Sequence, residues 1–241
     1  MAALVGLGAA VCFAAPRARG RVRDGCTGLW GRGLSRILGL RVHIEGAPPP
    51  RGALVVSNHT GYVDVFLLGA AMPCTFVSRG DVARWPLIGL VCRMAGVLFV
   101  DRQRRADTPR AARALDEALV AGRTVVLFPE GTSSSGEAVL PFRSALLDGA
   151  ARSAIAVRVA TLAYRTLPGW PPASTAVAWH GDAAFPPHLW TLAAMPRVDA
   201  YLRFLPAPVT SSDRKKLASE LWTSVSRELA DLRATLVESA P

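Results

Sequence analysis

The sequence predicts an α/β fold: a mixed, largely parallel sheet flanked by helices, with an N-terminal membrane-associating helical segment. Three observations predict it. From residue 40 onward, strand and helix signals alternate, the pattern of a layered α/β domain. The run Val97–Val100 has no polar residue, as a strand covered on both faces requires. A long C-terminal stretch places Leu217, Leu221, Val225, Leu229, Leu232 and Leu236 on one helical stripe.

The elements follow in order. Residues 1–15 are continuously apolar and are followed by Arg17, Arg19, Arg21 and Arg23. As a helix this run spans about 22 Å at ~1.5 Å per residue, short of a hydrocarbon core of about 30 Å. No positive charge precedes it, which argues against a signal peptide. The arginines behind it fit a cytoplasmic flank beside an anionic leaflet, so the run reads as a membrane anchor or interfacial helix. Packing as a helix on the domain is the alternative. Gly25 to Gly39 is a second helical stretch, with Leu29, Trp30, Leu34, Ile37 and Leu38 apolar and Arg32 and Arg36 beside them. It suits a membrane interface or a cover over the sheet equally well. Residues 1–39 therefore form the N-terminal segment, and residues 40–241 one domain.

Within that domain, Arg41–Glu45 and Ala53–Ser57 are short strands split by Pro48-Pro49-Pro50. Tyr62–Ala71 is a helix that stops before Pro73, and Thr75–Ser78 a strand. Pro86–Ala95 is a helix with proline near its first position. Thr108–Ala121 is a helix with Pro109 inside its start and Gly122 past its end. Thr124–Phe128 is a strand, Ser144–Ser153 helical, and Ile155–Ala163 and Thr175–Trp179 strands. Val198–Leu205 alternates as a strand near an edge, and Ser211–Val237 is the long final helix.

Composition narrows the function. The chain is 51% hydrophobic and only 19% charged, which excludes a disordered chain and favours contact with lipid. The net charge of +10 comes almost wholly from arginine and suits nucleic acid, an anionic membrane or an acidic protein. No groove-reading motif or aromatic–basic array supports nucleic acid. Cys12, Cys26, Cys74 and Cys92 form no CxxC pair and lie in apolar stretches, so they read as reduced thiols rather than a zinc site or disulfide framework.

Two motifs carry chemistry. The strand Ala53–Ser57 runs into Asn58-His59-Thr60-Gly61-Tyr62-Val63-Asp64. A histidine at a strand end lies where α/β sites gather. An aspartate five residues on, in the first turn of the next helix, can reach one imidazole nitrogen and leave the other as a general base. This is the His–Asp half of a hydrolase triad without an evident serine; Ser57 is close in sequence, and a substrate hydroxyl can take a serine's place. The second motif, Phe128-Pro129-Glu130-Gly131-Thr132-Ser133-Ser134, is a turn after a strand that offers N–H groups and hydroxyls to an anion or polar head. There Glu130 can bind a substrate hydroxyl or brace Arg102 or Arg143.

Together, in this order, the two motifs resemble the lysophospholipid acyltransferase superfamily, typified by 1-acylglycerol-3-phosphate O-acyltransferases. Its NHxxxxD block is Asn58, His59 and Asp64. Gly96-Val97-Leu98-Phe99-Val100-Asp101-Arg102 and Phe128-Pro129-Glu130-Gly131-Thr132 match its next blocks, and Phe76–Asp81 with Trp85–Gly89 also fits. The likeness covers roughly residues 40–210. It implies the glycerolphosphate acyltransferase fold, a membrane enzyme on the cytoplasmic face of the bacterial inner membrane, and no metal or other cofactor. It implies His59, oriented by Asp64, as the base that deprotonates a lysolipid hydroxyl. The alkoxide then attacks an acyl thioester, either acyl-CoA or acyl–acyl carrier protein, without a covalent acyl-enzyme. It also implies a substrate-binding set of Asn58, Arg79, Arg102, Glu130, Gly131 and Thr132, joined by Arg143. Two departures stand out. The family's third block commonly continues with an arginine that holds the acceptor phosphate, and here that residue is Ser133; Arg143 is the candidate replacement. The fourth block, Ala156–Tyr164, lacks its usual proline. Trp179-His180-Gly181-Asp182 and Pro187-His188-Leu189-Trp190 are similar to bacterial enzymes that acylate lyso-ornithine lipid or lysophosphatidic acid. A lipid esterase using the same His–Asp pair with Ser57 or Ser133 is the alternative from another class.

Overall fold

The computed structural model describes residues 16–85, 88–100 and 107–238. The apolar run 1–15, Arg102 and the start of the 86–95 helix lie outside these residues. Seven strands form one sheet in the order β1-β7-β6-β2-β5-β3-β4. They are β1 (Leu40–Glu45), β2 (Leu54–Ser57), β3 (Thr75–Arg79), β4 (Leu98–Val100), β5 (Val125–Leu127), β6 (Arg158–Thr166) and β7 (Val198–Phe204). The five from β6 to β4 are mutually parallel. β7 runs antiparallel to β6, from Ala160 opposite Phe204 to Thr166 opposite Val198, and β1 runs parallel to β7.

Eight α-helices accompany the sheet among the described residues: α1 (Pro16–Ile37), α2 (Tyr62–Ala71), α3 (Ile88–Met94), α4 (Asp107–Val120), α5 (Asp148–Arg152), α6 (Ala173–Ala176), α7 (Phe185–Ala194) and α8 (Arg214–Glu238). β2 and β5 are buried along their whole length, because helices cover both faces. On one face Leu54, Val56, Val125 and Leu127 pack against Leu115 of α4 and the α8 stripe, whose six predicted residues are all buried. On the other face Val55, Val126 and Ala160 meet Leu67 and Leu68 of α2. Beyond α2, α6 and α7 close a third cluster with Val63, Val177, Leu192 and Met195.

The helix α1 is an outer layer held on α2. An added Cβ at Gly31 would stand 2.4 Å from the Ala70 nitrogen and 2.6 Å from the Phe66 carbonyl oxygen, so only glycine lets the two backbones come this close. Asp24 of α1, 1% exposed, accepts hydrogen bonds from Arg123 and Arg51 and fixes the helix at its middle. No helix of the described residues is long and apolar enough to cross a membrane.

One expectation is corrected. Thr175–Trp179 is not a strand: residues 173–176 form the helical turn α6, entered from Pro172 in extended conformation, and Val177 and Ala178 follow it into the core. A five-residue apolar run has too few turns to separate the two periods. The helix α7 carried no sequence expectation, although Pro186 and Pro187 sit in its first turn, where missing N–H groups cost nothing. The alternating stretch Val198–Leu205 is β7, one strand in from the edge strand β1.

Candidate active site

The carboxyl ends of β2, β3, β4 and β5 lie at one end of the sheet, and both sequence motifs emerge there. The strand β2 stops at Ser57, but its partner β6 continues past that level. The Asn58 side chain fills the gap: its amide N–H donates to the Leu162 carbonyl (3.0 Å), and its oxygen accepts the Leu162 N–H (2.8 Å). A side chain thus extends the sheet ladder by one rung. Asn58 is 2% exposed, and its amide is committed to the backbone.

His59 then turns out of the sheet. Its Nδ1 lies 2.8 Å from Asp64 Oδ2. The carboxylate only accepts, so Nδ1–H donates and Nε2 keeps its lone pair. Asp64 is fully buried and accepts four further bonds: Thr60 N–H at 2.6 Å, Gly61 N–H at 3.0 Å, Thr60 Oγ1–H at 2.7 Å and Tyr164 O–H at 2.8 Å. Burial, and then the Asp64 carboxylate, push Tyr164 well above its usual ionisation range, so it stays a donor. The opposite wall is Phe128, whose ring stacks on the imidazole at 4.1 Å between centroids. The His59 side chain is 23% exposed. Aspartate below and phenylalanine beside it fix the ring, and the described residues place no hydroxyl on Nε2.

Neither serine considered for an esterase is bonded to the imidazole. Ser57 is 0% exposed, and Ser133 Oγ donates to the Trp179 carbonyl at 2.6 Å.

The second motif braces the first. Glu130 is 2% exposed; Oε1 accepts the His59 N–H (2.6 Å) and Oε2 the Leu140 N–H (2.9 Å). Both oxygens hold backbone. Burial pushes its pKa up to about 7, against these two N–H bonds and the neighbouring His59, which pull it down. Gly131 takes φ 79, a left-handed turn that sends the chain back under His59, and Ser134 N–H donates to the His59 carbonyl at 2.9 Å. Thr132 is exposed. Arg143 is exposed, and its backbone N–H donates to the Pro129 carbonyl at 2.8 Å, which puts its backbone against the same turn. Arg79 is the last residue of β3, two strands from β2 at the same sheet end.

Several neighbours were not among the expected site residues, although Trp85, Trp179 and His188 lie in stretches that carried the resemblance. The Trp179 backbone N–H donates to the Thr60 carbonyl at 2.8 Å, and Gly61 fits beneath it, with an added Cβ 3.0 Å from that nitrogen. Tyr62 O–H lies 2.9 Å from His188 Nδ1, while His188 Nε2 lies 3.1 Å from the Ala178 carbonyl. The carbonyl requires Nε2–H, so Nδ1 accepts from Tyr62; burial lowers the His188 pKa and keeps this neutral form. Tyr62, Trp85, Trp179 and Phe185 then pack tilted or edge to face, 5–6 Å apart, beside the His59 turn.

Known proteins share this fold and sequence. A 1-acyl-sn-glycerol-3-phosphate acyltransferase of Neisseria meningitidis is 30% identical over 205 residues, 83% of this chain and 79% of its own length. A lyso-ornithine lipid O-acyltransferase of Brucella abortus is 35% identical over 210 residues, 80% of this chain and 77% of its own. The crystal structure of the 1-acyl-sn-glycerophosphate acyltransferase PlsC of Thermotoga maritima superposes with a TM-score of 0.68, covering 93% of this chain and 86% of that one at 20% identity, which shows the shared fold. The family model described as Acyltransferase matches residues 39–165, the span from β1 through most of β6 that holds the His59–Asp64 pair and the Glu130 brace, and the chain belongs to that family.

Proposed function

We propose that the chain moves a fatty acyl group from acyl-CoA or acyl–acyl carrier protein to the hydroxyl of a lysolipid, with 1-acylglycerol-3-phosphate as acceptor and phosphatidic acid as product. The observation that carries this reading is the His59 ring, held at Nδ1 by a buried, fully bonded Asp64 and left with Nε2 open. Nε2 takes the proton of the acceptor hydroxyl as its oxygen attacks the thioester carbonyl. The C–O bond forms, the C–S bond breaks, and the imidazolium returns its proton to the leaving thiolate. The acyl group passes directly to the acceptor, consistent with the positions of Ser57 and Ser133. Arg79, Arg102 and Arg143, with Gly131 and Thr132, are assigned to binding the acceptor headgroup. Residues 1–39 associate with the membrane and residues 40–241 carry the chemistry, on the cytoplasmic face of the inner membrane.

One observation favours a second acceptor. Ser133 stands where a phosphate-binding arginine is expected, and its hydroxyl is committed to the Trp179 carbonyl. A neutral, tied-down residue suits lyso-ornithine lipid, the acceptor in the name of the Brucella abortus relative. Membranes carrying the protein, supplied with either acceptor and either donor, test both readings. Transfer to lysophosphatidic acid supports the first, transfer to the aminolipid alone the second, and transfer to neither overturns both.

A further inference from the structure

We propose that α7 is a membrane-contact element: its outer face, centred on Trp190, seats in the headgroup region of an anionic bilayer beside the arginine-bearing outer face of α1. This rests on the reading of the chain as a lysolipid acyltransferase and adds where the bilayer touches it.

The stretch 183–196 contains no Asp, Glu, Lys or Arg. His188 and Leu192 point into the fold, and Pro186, Pro187, Trp190, Ala193 and Ala194 point out. A surface helix normally turns charge to water. This one turns out an uncharged face with Trp190 80% exposed. An indole, apolar in its body and polar at one N–H, is at home where hydrocarbon meets headgroups.

The neighbouring helix supplies the charge. Leu38, just past α1, shares a buried cluster with Leu192 and Met195, and Gly39 backs onto the Pro196 carbonyl. The outer side of α1 exposes Leu29 and Ile37 together with Arg32 and Arg36. The one acid in α1, Asp24, is buried against Arg123 and Arg51, so no carboxylate of this helix offsets those two arginines. Apolar side chains flanked by unopposed arginines complement an anionic leaflet.

Position supplies the purpose. Phe185 of α7 packs edge-on against Tyr62 at 5.1 Å, and His188 accepts the Tyr62 hydroxyl, so α7 is bolted to the residues that follow His59. Seating α7 on the bilayer brings the His59 turn to the surface where a lysolipid resides.

The test uses the full chain and vesicles of phosphatidylglycerol and phosphatidylcholine, with bromine on the acyl chains near the headgroup. Bromine quenches tryptophan that enters the interface. Wild-type fluorescence is quenched, and Trp190→Ala loses most of that quenching. In parallel, Trp190→Asp lowers transfer to a vesicle-embedded lysolipid by about tenfold and leaves transfer to a short-chain, water-dispersed lysolipid unchanged. Quenching of Trp190→Ala equal to wild type, or an equal loss on both acceptors, overturns the proposal. A wild type that acylates neither acceptor overturns the functional reading instead, and the quenching comparison still decides the surface.

Discussion

The carboxyl of Glu130 sits between two backbone N–H groups, nearly out of reach of water, and its pKa is pushed up to about 7. A raised pKa means the folded chain holds this proton more tightly than the unfolded one. The group favours the fold most below pH 4.5, and that contribution fades as pH rises to about 7, a change of about 3 kcal/mol. Denaturant unfolding across this window is expected to show the slope, and Glu130→Gln to remove it. The same variant turns an amide N–H toward one backbone donor, so one of the two bonds is lost and kcat falls with the His59 turn loosened. Asp64→Asn acts more directly. It removes the acceptor that sets the His59 tautomer, and kcat is expected to fall roughly a hundredfold to ten-thousandfold with KM little changed. The His59–Asp64 pair was legible because its partners are five residues apart. The duties of Asn58 and Glu130 were not: their backbone partners include Leu162 and His59, 104 and 71 residues away along the chain, and only the sheet order brings them together.

At the scale of elements, close backbone contact matters more than side-chain pattern. Gly31→Ala sets a methyl against the Phe66 and Ala70 backbone of α2. Such overpacking is expected to cost about 1–3 kcal/mol in urea unfolding, with α1 lifted from α2. The alternation of strands and helices, the α8 stripe and the α2 boundaries could all be read from periodicity, because those elements are long or sharply ended. The region from 171 to 195 could not. Thr175–Trp179 read as a strand, yet Pro172 precedes one helix there and Pro186 and Pro187 open another. What fixes these helices is tertiary: the Tyr62–His188 bond and the third core cluster.

Across the whole molecule, the sheet gathers its chemistry at one end while helices screen both faces. The net charge of +10 adds a long-range attraction to anionic surfaces. Binding to phosphatidylglycerol vesicles is therefore expected to weaken as salt shortens the Debye length, from about 10 Å at 0.1 M to about 3 Å at 1 M, with residual binding at high salt measuring the apolar contribution. The basic, apolar composition was visible from the start; the sheet order was not, since β1 and β2 adjoin in sequence yet lie three places apart in the sheet. The central claim is that the open nitrogen of His59 removes the acceptor's proton. The most direct test is acyl transfer by His59→Ala, with its fold verified by circular dichroism and thermal unfolding. A well-folded variant with kcat lowered at least about a hundredfold is the predicted result; a well-folded variant that retains wild-type transfer would contradict it.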